Sequence, residues 1–330
     1  MDASSEEAGD ALSSDQPSSF PSTVIGPQDI TKKKHGLPFL SIPPISTHTQ
    51  TIILLHGRGS NGPRFGPPLV SPQLSCGNTL TQEFPGMKFI FPTAKKRRAM
   101  RFNRTPINQW FDVWSVDEPS EKEELQYDGI CETSRLLNII IQEEARVVGL
   151  RNVFLGGLSQ GCAMGLHVFL NYLPENLSDD SFGGFIGMSG WLPLARPLQE
   201  NVWSSTDAGD DDDPFAEPLE GSERGGETPQ TWQIRAANFA RDIADLPPLE
   251  MDTALPPFIK TPVFLSHGRH DEKVKMKLGE EARDVLVNLG LDVTWKDYEE
   301  GHWYKVPEQL DDIANFIRKR TVDVAKDRNS

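Results

Sequence analysis

Apolar residues fall along this chain in short runs, separated by longer stretches in which they recur every three or four positions. Residues 50–56, 87–91, 152–156, 184–189, 262–267 and 292–298 are short, largely apolar and rich in Val, Ile and Phe, the pattern of buried strands. Helical spacing fills the intervals. It runs from about Tyr127 to Val148, over the apolar stretch that follows Gly161, and from about Val274 to Leu289. The last such stretch, from Pro307 to Arg320, buries Leu310, Ile313, Phe316 and Ile317, with Pro307 near its start, where proline is tolerated. Strands alternating with helices predict an α/β protein with a doubly wound, mostly parallel sheet and helices on both faces.

One strand-to-helix junction carries chemistry. Asn152-Val153-Phe154-Leu155-Gly156 leads into Gly157-Leu158-Ser159-Gln160-Gly161, and an apolar helical stretch begins at Cys162. A strand turning through Gly-x-Ser-x-Gly into a helix is the nucleophile elbow of the α/β-hydrolase fold. The turn strains the serine backbone, so the residues two positions away must be small, as Gly157 and Gly161 are. A Gly-rich turn around an inert serine is the plainer alternative, and the residues downstream of it decide between the two.

A serine hydroxyl is a poor nucleophile until a base takes its proton, and the base needs an acid to fix its tautomer. In this fold the three residues occur in the order Ser, Asp or Glu, His. Asp271 stands at the end of the strand that closes on Ser266-His267, with Glu272 as a second choice of acid. One helix and one strand later, His302 falls in a loop. Asp271 could instead cap the following helix. His267 and His270 beside it lack the further ligand cluster that a metal site needs, so no metal is expected. The oxyanion of acyl transfer requires backbone N–H donors. One is expected at Gln160, after the nucleophile. The other is expected in the loop Gly57-Arg58-Gly59-Ser60-Asn61-Gly62, which lacks the spacing of a P-loop or a dinucleotide site.

Together these residues resemble the acyl-protein thioesterases and related carboxylesterases or lysophospholipases of the phospholipase/carboxylesterase group. The shared motifs are Leu55-His56-Gly57-x-Gly59, Phe91-Pro92-Thr93-Ala94, Trp110-Phe111-Asp112, Gly157-Leu158-Ser159-Gln160-Gly161, Ser189-Gly190-Trp191-Leu192-Pro193, His267-Gly268-x-x-Asp271 and Gly301-His302, in the family's order over about residues 50–305. The resemblance implies a catalytic triad of Ser159, Asp271 and His302. It also implies oxyanion donors at Gln160 and Arg58, an acyl pocket lined by Trp110 and Phe111, and hydrolysis of esters and thioesters without a cofactor. Arg58 departs from the family's usual apolar residue. A guanidinium there could favour an anionic substrate group or could swing into solvent.

The formal net charge of −15 adds little about the substrate. Residues 200–227 hold ten acidic side chains against Arg224 alone, and residues 1–16 hold five acidic and no basic ones, so these two stretches account for almost all of it. Both are poor in apolar residues and are expected to be disordered. The predicted organisation is an acidic, Ser-rich tail over 1–36 and one hydrolase domain over 37–325. An insertion at about 196–258 interrupts that domain, acidic over 200–230 and then helical over about 231–246. In that helix Trp232, Ala236, Phe239, Ile243 and Leu246 form an apolar stripe, which could lie over the site as a lid or pack against the body.

The basic run Lys95-Lys96-Arg97-Arg98, with Arg101 and Arg104, reads as a solvated loop rimming the site, as a nuclear-targeting run that would allow nuclear access, or as a contact with anionic membrane. It has no aromatic interleaving, and nucleic acid is not an expected partner. Cys76, Cys131 and Cys162 are odd in number and scattered, which fits reduced thiols in the cytoplasm. The N-terminal residues lack the basic start and apolar core expected of a signal peptide, and no apolar run approaches the ~20 residues that span a bilayer. The expected partner is an acylated protein or a small or lipid ester, with peripheral rather than integral membrane contact. A non-catalytic receptor built on the hydrolase fold is the alternative from another class.

Overall fold

The computed structural model describes residues 29–31, 36–175, 181–203, 228–250 and 255–327. Most of the expected N-terminal tail and of the acidic stretch lies outside the described residues. The strands in chain order are β1 (Asp29–Thr31), β2 (Phe39–Ile42), β3 (Gln50–Leu55), β4 (Met87–Pro92), β5 (Lys96–Ala99), β6 (Thr105–Asn108), β7 (Val153–Leu158), β8 (Gly184–Met188), β9 (Val263–Gly268) and β10 (Val293–Tyr298). The α-helices are α1 (Gly62–Val70), α2 (Leu80–Glu83), α3 (Glu124–Val148), α4 (Gln160–Asn171), α5 (Ala195–Trp203), α6 (Pro229–Ile243), α7 (Met276–Asn288) and α8 (Glu308–Asp327).

Eight strands form one sheet in the order β1-β2-β4-β3-β7-β8-β9-β10. From β4 to β10 every pairing is parallel, while β1 and β2 add an antiparallel margin. β1 falls inside the stretch expected to be a disordered tail. Ile30 and Thr31 are β-branched, and the edge of β2 offers them a ladder. The antiparallel hairpin β5–β6 stands outside the main sheet. It occupies the basic run read as a loop. Asn103 and Arg104 turn it with positive φ, 48° and 59°, without a glycine to announce the turn.

The period-2 alternation of β3 divides the core. Ile53 and Leu55 face the layer of α3, α4, α6 and α7, and Ile52 and Leu54 face α1 and α8. All twelve residues of α4 are buried, because helices and sheet close around it. The insertion helix α6 packs on α4, α5 and α3 through Ile234, Ala236, Ala237 and Ala240. Its polar anchors lie at the far end of the helix layer. Arg241 donates to Asn171 O (2.8 Å) at the end of α4, and Gln233 donates to Leu289 O (2.9 Å) just past α7. Ser159 lies at the other end of α4, a helix of twelve residues and so about 18 Å long. Of the two fates open to this stripe, the structure shows packing against the body.

The sheet order reverses at β3, with β4 on one side and β7 on the other. Ligand sites of open α/β sheets lie outside the carboxyl ends of strands at such a point. The loop after β3 and the elbow after β7 therefore meet there.

Candidate active site

Ser159 has φ 57° and ψ −125°, a backbone conformation that costs about 1–3 kcal/mol and is held by what surrounds it. The elbow can bend this tightly because its flanking residues lack side chains. A Cβ at Gly157 would sit 2.6 Å from the Gly161 carbonyl carbon, and one at Gly161 would sit 2.5 Å from that of Leu55 on β3. The Ser159 N–H is fixed to Met188 O at 2.9 Å, and its carbonyl accepts from Ala163 N at 3.1 Å. At 7% exposure the residue is sheltered yet reachable.

β9 delivers Asp271 and β10 delivers His302, and the geometry joins them to the serine. His302 Nε2 lies 2.9 Å from Ser159 Oγ, and Nδ1 lies 2.8 Å from Asp271 Oδ2 and 3.0 Å from Oδ1. A carboxylate only accepts, so Nδ1 carries the hydrogen and Nε2 offers its lone pair to the serine hydroxyl. Asp271 also accepts from Lys273 N and Val274 N, both at 2.9 Å, so it braces the turn before α7 while facing the histidine. Burial pushes its carboxyl upward, but hydrogen bonding from His267 and His302 outweighs this and holds it well below the usual carboxylate range. His267 Nε2 stands 3.3 Å from Asp271 Oδ2 and 2.8 Å from Val274 O.

The alternatives do not reach the serine. Glu272 is exposed, His270 pairs with Glu299 at the surface, and His48 binds Thr51. His167 is buried in a polar cluster with Asn171 on α4, and burial depresses it to about 3. His35 lies outside the described residues. Among the described residues, no group of three His, Cys, Asp or Glu side chains is arranged to hold a metal ion.

The Gly57–Ser60 loop abuts Ser159, since a Cβ on Gly57 would lie 3.3 Å from Ser159 Cβ. Among the described residues, the Arg58 and Gln160 N–H groups have no hydrogen-bond acceptor. His56 orients the loop. Its Nδ1 donates to Gly57 O (2.7 Å), the carbonyl of the peptide whose N–H belongs to Arg58, and its Nε2 accepts from Ala94 N (3.0 Å). Complete burial depresses His56 to about 4, which keeps it neutral at ordinary pH.

The Arg58 side chain is turned inward and not swung into solvent, and its buried Nη2 has no hydrogen-bond partner among the described residues. Its Nε donates to Gln109 Oε1 (3.1 Å), a terminal nitrogen lies 3.7 Å from Asp112, and the guanidinium sits 4.9 Å from the Phe102 ring centroid. Burial lowers its pKa, with Asp112 opposing the shift and Arg101 adding to it.

Trp110 and Phe111 differ from expectation. Both are fully excluded from solvent and present no surface to a substrate. Trp110 Nε1 donates to His56 O (2.7 Å), and Phe111 meets Trp191 edge to face. The Gln160 side chain explains why they turn inward. It accepts from Trp110 N (3.1 Å) and donates to Phe111 O (2.8 Å), clamping the segment to the elbow. These two residues support the site wall from behind. The supporting roles of His56, His267 and the Gln160 side chain left no pattern beyond their places in the shared motifs.

A strained serine at a strand-to-helix elbow, hydrogen-bonded to a histidine that is oriented by a buried carboxylate, on a mostly parallel sheet, defines an α/β hydrolase of the serine type. The family model described as Phospholipase/Carboxylesterase matches residues 40–208 and 248–321, and the chain belongs to that family. It is accordingly an ester or thioester hydrolase. The acyl-protein thioesterase 1 of Gibberella zeae is 26% identical over 287 residues, covering 85% of this chain and 94% of that protein. That of Yarrowia lipolytica is 23% identical, covering 86% and 96%. Among solved structures, Zea mays acyl-protein thioesterase 2 superposes with a TM-score of 0.56 at 23% identity, over 86% of this chain and 98% of that one, and so shares the fold. The unmatched interval, residues 209–247, contains α6 and most of the acidic stretch.

Proposed function

We propose that this chain hydrolyses acyl thioesters and esters through an acyl-enzyme on Ser159, with acylated protein as the substrate class. The observation that carries the reading is the hydrogen-bonded chain Ser159 Oγ–His302–Asp271, at 2.9 and 2.8 Å. As Oγ attacks the carbonyl carbon, His302 Nε2 takes its proton and Asp271 stabilises the imidazolium. The N–H groups of Arg58 and Gln160 receive the oxyanion, an effect of about 3–4 kcal/mol per donor in other enzymes. On collapse the bond to the leaving sulfur or oxygen breaks, His302 gives that atom its proton to release a thiol or alcohol, and water then repeats the sequence to release the acid. The thioester reading draws support from relatives named acyl-protein thioesterase 1 that match along nearly their whole length.

Contact with a membrane surface fits the hairpin beside the site. Met100 and Phe102, each 40% exposed, stand at its tip among the exposed Arg98, Arg101 and Arg104. Among the described residues no helix is long and apolar enough to cross a membrane. Three unpaired cysteines support a cytoplasmic setting.

The test is hydrolysis of p-nitrophenyl esters from acetyl to palmitoyl, beside a palmitoyl-thioester peptide, by the wild type and Ser159→Ala. The expected result is turnover of the long thioester, with kcat about 10⁶-fold lower in the variant. Activity confined to short esters would replace depalmitoylation with general carboxylesterase action. A wild type as inert as the variant would leave a non-catalytic receptor.

A further inference from the structure

The Gly57–Ser60 loop carries one oxyanion donor, yet little in its own backbone holds it. Gly57 and Gly59 are conformationally permissive, and Gly59 sits at φ 79° with nothing within 4 Å of where a Cβ would be. Two of its ties run to the β5–β6 hairpin region. Gly59 N donates to Asn108 O (2.7 Å), and the Arg58 side chain donates to Gln109. The hairpin in turn lies outside the main sheet, and a two-stranded hairpin alone is marginally stable. What seats it includes a cluster centred on Asp112, which accepts from Met100 N (3.0 Å) near the tip and from Gln109 Nε2 (3.2 Å), and faces the Arg58 guanidinium. Phe102, 40% exposed at the tip, covers that guanidinium from outside.

Arg58 therefore belongs to both structures at once. Its N–H is the expected oxyanion donor, and its side chain is held under the hairpin. We propose that Arg58 is a positioning residue whose guanidinium, clamped by Asp112, Gln109 and Phe102, couples the seating of the β5–β6 hairpin to the direction of the Arg58 N–H in the oxyanion hole. This rests on the reading of Ser159 as nucleophile and Arg58 N–H as donor. It adds that the hairpin is the part of the surface to which the hole responds. A contact at Met100 and Phe102 is transmitted through one side chain to the atom that stabilises the transition state. An apolar residue at position 58 would supply the same N–H without the link.

The experiment uses the full chain and a short soluble ester, p-nitrophenyl butyrate, so that hairpin contacts with a long acyl group do not enter. Wild type, Arg58→Leu, Phe102→Leu and the double variant are compared, after Ser159→Ala has been found inactive. Leucine keeps the backbone N–H, so the donor is misaimed and not deleted. Deleting such a donor costs about 10²–10³ in kcat, and misaiming it is expected to cost about 10-fold, with KM changed less than about 2-fold. Phe102→Leu is expected to show a smaller fall in kcat, and the double variant to be no slower than Arg58→Leu. Affinity for an alkyl boronic acid, whose tetrahedral adduct on Ser159 puts an anionic oxygen into the hole, should weaken in step with kcat.

An Arg58→Leu kcat within about 2-fold of wild type overturns the proposal. So do single effects that multiply in the double variant, or a kcat loss with unchanged boronate affinity. If Arg58→Leu does not fold, the same kcat and boronate comparison on Phe102→Leu, an exposed and milder change, decides the matter. Activity surviving in Ser159→Ala would instead sink the underlying reading of the site.

Discussion

The elbow that carries Ser159 and the loop that faces it meet across a few ångströms, and they are held by opposite means. At the elbow the backbone itself is packed: Gly157 lies against Gly161, and Gly161 against the Leu55 carbonyl, with no room for a methyl group. Across the site, Gly59 looks onto open space, and beside two main-chain bonds, Gly59 N to Asn108 O and Ser60 N to Gly57 O, the loop is held by the side chains of His56 and Arg58. On the proposed reading, the nucleophile, which must not move, is fixed by main-chain contact. The donor, whose direction matters, is then fixed largely by replaceable polar groups. The first kind of rigidity fails all at once, and the second can be tuned.

The largest contrast should appear in glycine substitutions. Gly161→Ala forces a methyl group against the Leu55 carbonyl with nowhere to relax. It is expected to cost about 3 kcal/mol or more, read as a melting temperature lower by roughly 10 °C or as failure to fold. A Gly161→Ala protein that melts like wild type would erase the distinction.

A second prediction sharpens the side-chain half. The neutral His56 is depressed to about 4 from an ordinary 6.5, so the unfolded chain takes up a proton that the folded chain refuses. Stability is therefore full above about pH 6.5 and is lost as pH falls toward 4, by on the order of 3 kcal/mol from this group. Protonation of Nε2 should break the bond it accepts from Ala94 N while leaving the Nδ1 bond to Gly57 O in place. In His56→Gln the fall of melting temperature between pH 6.5 and 4.5 should be shallower, and superimposable curves would remove His56 from this role.

The smallest effect is expected at Gly59→Ala. The added Cβ meets nothing, and the cost is that of positive φ alone, about 1 kcal/mol or a few degrees of melting temperature. A loss as large as that of Gly161→Ala would mean that the loop is packed as tightly as the elbow.

The six parallel strands, the elbow and the order Ser159, Asp271, His302 were legible because each leaves a local mark: an apolar run, two glycines, a position in chain order. Other features leave none. Pro67 and Pro68 inside α1 argue against a helix, and the Asn61 cap and packing on β4 override them. The β5–β6 hairpin hides in a run of cations, two of which, Lys95 and Arg97, pair with Glu132 on α3, a partner far away in sequence. Trp110 and Phe111 are placed in an acyl pocket by the family resemblance alone. Their burial depends on the Gln160 amide, whose two hydrogen bonds no spacing rule encodes.

The placing of α6 bears on how the protein can change over generations. The acidic stretch is joined to the described chain at Trp203 and Thr228, and α6 fastens the returning chain to the ends of α4 and α7 remote from Ser159. Substitutions along α6 itself, whose anchors touch no triad residue, can therefore accumulate without first passing the filter of hydrolysis. That helix is free to drift, or to be recruited under a different selection, while the reaction is inherited intact.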